Sequence, residues 1–158
     1  MKKAKPESKI LNGKKLAKRI LEKLSQKIKI EGSKLKLAAV LVGNDSASKL
    51  FIRKKKQACK KIGISFKLCR FPASISQKAL EGQIKKIAEN SKVSGMIIQL
   101  PLPKGIDADA ILNLVPLKKD VDCLGQEALK RFKQGKSLIL PPVVGAIKKI
   151  LDDYKIKL

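Results

Sequence analysis

The apolar positions of this chain recur at two spacings, and the two spacings alternate along the sequence. Over residues 11–29 they stand four apart, which is the spacing of one helix face, whereas over 64–71 apolar and polar side chains alternate as in a strand. Glycine, proline and helix-capping residues separate these segments. The pattern predicts strands over 34–43, 64–71 and 94–100, and helices over 11–29, 44–63, 76–91, 107–115, 126–133 and 143–154.

Helices that alternate with strands are typical of an α/β fold, in which a mainly parallel sheet is flanked by helices in three layers. In such a sheet, ligands bind at the carboxyl ends of the strands. Three segments can meet there: Val42-Gly43 before the second helix, Gln99 after the third strand, and the polar loop 117–126. We therefore look for chemistry in these three segments.

The length of 158 residues and a hydrophobic content of 44% are those of one globular domain. No apolar run approaches the roughly 20 residues that span a bilayer. No apolar stretch of signal-peptide length follows the charged residues 1–6. We expect a cytoplasmic protein that does not enter a membrane.

The chain has no histidine and three cysteines, which excludes histidine-based catalysis and makes a metal site unexpected. Cys59, Cys69 and Cys123 lack the spacing of a metal site, so we expect packed free thiols. The glycines form neither G-x-G-x-x-G nor a P-loop, so nucleotide binding has no support from a motif.

The net charge of +24 raises the alternative of a nucleic-acid-binding protein. The basic residues are spread over the whole chain, and only 53–56 is a dense run. The chain has four Phe, one Tyr and no Trp, so aromatic surfaces on which bases could stack are scarce. We expect binding of polyanions at low salt but no specific nucleic-acid recognition.

The helix 44–63 carries one candidate catalytic group. Phe51 and Lys55 are four residues apart and share a face, so a flat apolar ring adjoins an ammonium that can act as general acid or base. The alternative is an ordinary solvated basic face, which periodicity alone favours.

Two further segments offer polar groups. Gln99 could orient Lys55 or bind a ligand amide, or it could simply cap its strand. Asp120 and Asp122 flank Val121 and would point the same way in an extended loop, where paired carboxylates could grip a guanidine-like or aminopyrimidine edge. The alternative for both is solvation or salt bridges to the many lysines.

These segments resemble the signatures of the bifunctional methylenetetrahydrofolate dehydrogenase/methenyltetrahydrofolate cyclohydrolase family, the FolD type. The resemblance covers nearly the whole chain. It lies in four segments in the family's order: "LNGKKLA", "LAAVLVGNDSASKLFIRKKKQACKKIGI", "GMIIQLPLP" and "VPLKKDVDCL".

The resemblance implies a role for each matching residue. Lys55 falls on the family's catalytic lysine, Gln99 on the glutamine that partners it, and Asp122 on the aspartate that binds the amino edge of the pterin. The matching substrate-binding positions are Ser48, Phe51, Leu100 and Pro101. The implied reaction is water addition to the methenyl carbon of the folate, followed by ring opening to formyltetrahydrofolate.

The resemblance also implies partners and a domain organisation. The family passes a hydride to NADP through a Rossmann domain, which has no counterpart in this sequence. We therefore expect residues 1–158 to be the folate-side catalytic domain, stand-alone, split or shortened, with no cofactor bound by this chain. NADP would be bound only through a missing Rossmann domain or a separate chain that carries one. The expected partners are tetrahydrofolate derivatives, polyglutamylated ones included, and either that chain or a second copy.

Several residues depart from the family's pattern. Phe51 replaces a tyrosine and lacks its hydroxyl, Cys123 replaces a glycine, and Val143 replaces a threonine. A side chain at position 123 would be strained if the backbone there needs a positive φ. The departures leave two alternatives to a weakened enzyme: a non-catalytic folate-binding or oligomerisation module, and a polyanion-binding protein.

Overall fold

The computed structural model describes residues 10–137 and 139–156. The domain limits 1 and 158 and the charged residues 1–6 lie outside the described residues. In chain order the elements are α1 (Gly13–Glu31), β1 (Lys36–Val42), α2 (Ser46–Ile62), β2 (Ser65–Phe71), α3 (Gln77–Glu89), β3 (Gly95–Ile98), α4 (Ala108–Leu112), α5 (Gln126–Lys133) and α6 (Pro142–Asp153). Every predicted element is present, and most bounds agree within two or three residues.

The sheet has three parallel strands in the order β2-β1-β3. The central strand β1 is almost wholly buried, and its seven residues pair with β2 from Lys36–Ser65 to Val42–Phe71. On its other side, β1 pairs with all four residues of β3. The predicted α/β fold with a parallel sheet is confirmed.

Each face of the sheet packs on a different group of helices. Ala38, Val40 and Val42 of β1 pack against buried side chains of α3 and α4, including Leu80, Ile84 and Ile111. On the opposite face, Ala39 packs with Ile52 of α2 and Ile97 of β3. Since successive strand residues point to opposite faces, the apolar run of β1 serves both layers.

Each helix that follows a strand begins at a residue whose own side chain caps it. Asp45 accepts the backbone N–H of Ser48 (2.6 Å), Ser76 that of Ala79 (3.3 Å), and Asp107 that of Ala110 (3.0 Å). These side chains satisfy backbone donors that a helix leaves free at its first turn. The hydrogen bonds from Ser48 also lower the pKa of Asp45.

The last helix lies on the outside of the domain. α6 has no buried side chain, and it contacts α1 through the Arg19–Asp153 ion pair and a hydrogen bond from Asn12 N–H to the Tyr154 hydroxyl (2.7 Å).

Over residues 10–137 and 139–156, none of the helices has the length and apolarity that crossing a bilayer requires.

Candidate active site

Lys55 and Asp122 form an ion pair between α2 and the loop that runs beside β3. Lys55 lies on α2, which follows β1, and Asp122 lies in the loop after α4. The Lys55 Nζ donates to Asp122 Oδ2 at 2.9 Å. The two side chains are 31% and 22% exposed, so the ion pair is partly shielded yet reachable from solvent. The fold brings together two of the three predicted catalytic residues.

Gln99, the third predicted catalytic residue, lies directly after β3 and is buried. Its Nε2 donates to the carbonyl of Leu100 at 2.8 Å, and among the described residues its Oε1 has no hydrogen-bond partner. Of the alternatives for Gln99, a hydrogen bond to Lys55 is not formed among the described residues, where Asp122 is the partner of the Lys55 ammonium. A buried acceptor without a donor is unfavourable, so Oε1 is poised for a ligand N–H or a water.

Ser48 supports the segment after β3 from the first turn of α2. It is 1% exposed, and its hydroxyl donates to the carbonyl of Leu100 at 3.2 Å. The Leu100 carbonyl thus receives hydrogen bonds from both Ser48 and Gln99, which joins α2 to the segment after β3. In this arrangement Ser48 is part of the framework rather than open to a ligand.

The remaining predicted substrate-binding residues form an apolar rim. Phe51 lies one turn before Lys55 on α2 and is 54% exposed. Leu100 is half-buried and Pro101 is exposed, and the peptide bond between them is cis. An exposed aromatic ring next to an ammonium is a surface on which a flat ligand could stack.

The two aspartates of the loop point in different directions. Asp122 reaches Lys55, whereas Asp120 is buried and accepts the backbone N–H groups of Gly125 (2.8 Å) and Leu124 (3.3 Å). The expectation that Asp120 and Asp122 point the same way is therefore wrong. The reason is that the chain turns at Val121 and Asp122 instead of remaining extended.

Cys123 adopts the left-handed conformation with a φ of 53°. That region favours glycine, which is what the resembled family has at this position, so the anticipated strain is present. The side chain is 3% exposed, and its Sγ lies 3.5 Å from the carbonyl oxygen of Ile139. Burial raises the pKa of the Cys123 thiol, and the charges of Asp120 and Asp122 raise it further.

Two features of this region were missed by sequence reasoning. Lys119 donates from Nζ to the carbonyls of Ala88 and Asn90 at the end of α3. Among so many lysines, nothing in the sequence distinguishes one that caps a helix. The second is the close approach of Gly95 to Val121, for which the single glycine at the start of β3 was an available sign.

The described residues contain no group of three or more His, Cys, Asp or Glu side chains that could hold a metal ion.

A groove of about 810 Å³ lies along α1, away from the Lys55–Asp122 pair, and is lined mainly by Lys14, Lys15, Lys18, Leu21 and Lys61. Its lining carries none of the acid–base groups described above, so the chemistry points to the Lys55–Asp122 pair and not to this groove.

Comparison with known proteins gives relatives of one kind. The bifunctional protein FolD of Nautilia profundicola is 39% identical over 152 residues, which cover 94% of this chain and 54% of the relative. The crystal structure of the bifunctional FolD enzyme, methylenetetrahydrofolate dehydrogenase/cyclohydrolase, from Campylobacter jejuni superposes with a TM-score of 0.89 at 32% identity, over 94% of this chain and 54% of that one.

The FolD of Trypanosoma brucei, whose structure was solved with NADP and an inhibitor, superposes with a TM-score of 0.87 at 25% identity, over 96% of this chain and 53% of that one. The chain thus spans about half the length of the curated relatives it matches. The sequence model of the tetrahydrofolate dehydrogenase/cyclohydrolase catalytic domain matches residues 11–122, which is more than half of the chain. The protein therefore belongs to the tetrahydrofolate dehydrogenase/cyclohydrolase family.

Proposed function

We propose that this chain acts in one-carbon folate metabolism as the folate side of a methenyltetrahydrofolate cyclohydrolase and methylenetetrahydrofolate dehydrogenase, with Lys55 as its general acid and base. The observation that carries the proposal is the Lys55–Asp122 ion pair, and a further support is the buried Oε1 of Gln99, which has no hydrogen-bond partner among the described residues. The exposed ring of Phe51 adjoins this group, so charged, polar and flat apolar surfaces are available together.

The folate would be held by three of these groups. Asp122 engages Lys55 through Oδ2, and among the described residues its Oδ1 accepts no hydrogen bond. A carboxylate can accept two N–H bonds at once, so Asp122 could take the amino edge of a pterin. Gln99 Oε1 would accept a further N–H of the ligand, and Phe51 would stack on its ring.

The reaction assigned to Lys55 is hydrolysis of the methenyl bridge. The oxygen of a water molecule bonds to the methenyl carbon and loses one proton. One carbon–nitrogen bond then breaks as that nitrogen takes up a proton and the added hydroxyl loses its remaining proton to become the formyl oxygen, so that one proton is released overall. As the free amine Lys55 would take the proton of the water, and as the ammonium it would give a proton to the nitrogen, the work of a general acid and base. When the ligand binds Asp122, the Lys55 side chain is released from its ion pair toward the reacting carbon.

The described residues do not fit the pyrophosphate of a dinucleotide. A pyrophosphate binds to free backbone N–H groups at a helix N-terminus after a Gly-rich turn. The three helices that follow strands are instead capped by Asp45, Ser76 and Asp107. We therefore assign no hydride step to residues 1–158, and NADP would be held by a Rossmann domain outside them, on the same or a separate polypeptide.

The partner could be that polypeptide or a second copy of this chain. The start of α6 and the segment before it expose large apolar side chains, with Val143 72%, Ile147 53% and Ile139 46% exposed. Exposed apolar patches mark interaction sites in many proteins. The high positive charge supports binding of polyglutamylated folates. The cytoplasmic location of the protein stays a prediction.

One observation favours a second function, a folate-binding module without catalysis. Phe51 keeps the flat surface of the resembled family's tyrosine but offers no hydroxyl near Lys55. If the departures at Phe51 and Cys123 have removed turnover, binding would remain.

The test is the loss of methenyltetrahydrofolate absorbance, corrected for spontaneous hydrolysis. We expect turnover by the wild-type chain, none above background by Lys55→Met, and wild-type turnover by Lys60→Met, which removes an exposed lysine of the same helix. Folate binding without turnover in all three proteins would support the binding module instead.

A further inference from the structure

The loop that carries Asp122 is tied to the rest of the domain by Lys119 and Asp120, neither of which forms a hydrogen bond or ion pair with Lys55 within the described part of the chain. Lys119 donates from Nζ to the carbonyl oxygens of Ala88 (2.6 Å) and Asn90 (2.9 Å) at the end of α3. Because the last carbonyls of a helix lack partners within the helix, an ammonium at this end satisfies them and interacts favourably with the helix dipole.

The backbone of Lys119 and Asp120 extends the sheet. The N–H of Met96 in β3 donates to the carbonyl of Lys119 at 2.7 Å, and Met96 and Asp120 form a parallel bridge beside β3. The loop therefore starts from a position held by both a strand and a helix.

Asp120 then closes the turn that contains Asp122. Its side chain is 6% exposed, and its carboxylate accepts the N–H groups of Gly125 and Leu124 across Cys123. Among the described residues, no lysine or arginine lies within ion-pair distance of Asp120. A buried carboxylate with only backbone donors is costly unless both bonds form, so it specifies one shape of the turn.

We propose that Asp120 and Lys119 are positioning residues, which hold Asp122 at hydrogen-bond distance from Lys55 by imposing the shape of the loop 119–125. The catalytic consequence of this positioning rests on the proposed function, whereas the positioning of Asp122 itself does not. The only described partner of the Lys55 ammonium is Asp122. A shift of the loop away from Lys55 by about one ångström would break the 2.9 Å hydrogen bond and misplace the carboxylate, and such misplacements cost about 10²-fold in rate.

The experiment reads the geometry by NMR, with the ¹⁵N ammonium resonance of Lys55 assigned through its loss in Lys55→Met. Asp122→Asn gives the position of that resonance without its carboxylate partner. We expect Asp120→Asn, which keeps the size of the side chain, to move the resonance toward that position, and Lys119→Met to move it in the same direction. Asp109→Asn, which alters an exposed aspartate of α4, should leave it unchanged.

Two outcomes would overturn the proposal. One is a folded Asp120→Asn protein whose Lys55 resonance stays at the wild-type position while Asp122→Asn moves it. If Asp120→Asn does not fold, Lys119→Met decides, and an unmoved resonance there has the same meaning.

Turnover distinguishes this proposal from the proposed function. In an active chain, Asp120→Asn should lower kcat by about 10- to 100-fold while Asp109→Asn keeps the wild-type value. If wild type shows no turnover but the resonance moves as expected, the cyclohydrolase proposal fails and the positioning role stands.

Discussion

Val121 packs so closely on Gly95 that a side chain at position 95 would not fit. A Cβ built on Gly95 would lie 2.7 Å from Val121 Cγ1, a separation that real Cβ atoms do not show, and 3.5 Å from Leu37 Cδ1. The loop that carries Asp120 and Asp122 therefore approaches β3 at a point where the strand has no side chain.

We predict that Gly95→Ala destabilises the protein by about 1–3 kcal/mol, because extra atoms in a packed site force neighbouring groups to move. Gly82→Ala is the matched control: it lies in α3 with nothing within 4 Å of the added Cβ, and should stabilise by about 0.5–1 kcal/mol. Urea unfolding of the three proteins measures both changes. Equal stability of Gly95→Ala and wild type would contradict the close approach.

We predict that Phe51→Tyr raises cyclohydrolase turnover by at most about 10²-fold, because the restored hydroxyl could donate a hydrogen bond beside Lys55. The ring itself is unchanged, so folate affinity should change little. Turnover and affinity are measured on the same preparations, with Lys55→Met as the inactive reference. Turnover below the wild-type value would show that the hydroxyl is not tolerated there.

Polyglutamylated folates should bind more tightly than monoglutamates, because their extra carboxylates are attracted to a surface of net charge +24. Salt screens such attraction over about 10 Å at 0.1 M ionic strength. Titrations of both ligands at low and high salt should therefore show the preference shrink. A preference that does not depend on salt would indicate specific contacts in the site.

The protein should lose stability as the pH rises above 9.0, the ordinary pKa of a thiol. Burial raises the pKa of Cys59, Cys69 and Cys123, so the fold favours the protonated thiols. Their contribution is complete below pH 9.0 and is lost as the pH rises through the higher folded-state pKa values. Unfolding of wild type and Cys123→Ala is compared at pH 7 and pH 10. An identical loss in both proteins would remove Cys123 from the explanation.

This chain alone should not bind NADP at micromolar concentration, because side chains already cap the three helices that follow strands. Calorimetry with NADP tests this directly, and heat of binding at micromolar ligand would refute it. The same titration with a reduced folate in place of NADP, on the same sample, is the control that the protein can bind a ligand.

The sequence predicted the helix and sheet layers and the parallel direction of the strands, because the apolar residues of the helices and strands are regularly spaced. It also singled out Lys55 and Asp122, which the structure joins in an ion pair, but the loop before Asp122 lies beside Gly95 and Met96 at the start of β3. It could not predict which atoms pair, because the Gln99 amide is oriented by a carbonyl that Ser48 also approaches from α2. The different directions of Asp120 and Asp122 likewise depend on a turn at Val121 and Asp122, which no glycine or proline in those two positions indicates.

The Lys55–Asp122 ion pair joins residues that are 67 positions apart, and Ser48 reaches Leu100 across 52. Closing a loop costs conformational entropy, and each doubling of its length adds about 0.6 kcal/mol. The pairing of β1 with β2 spans a much shorter stretch of chain. We therefore expect the ion pair to form only after β3 and the loop have joined β1, so that during unfolding its two side chains separate while α2 and the β1–β2 pair are still intact.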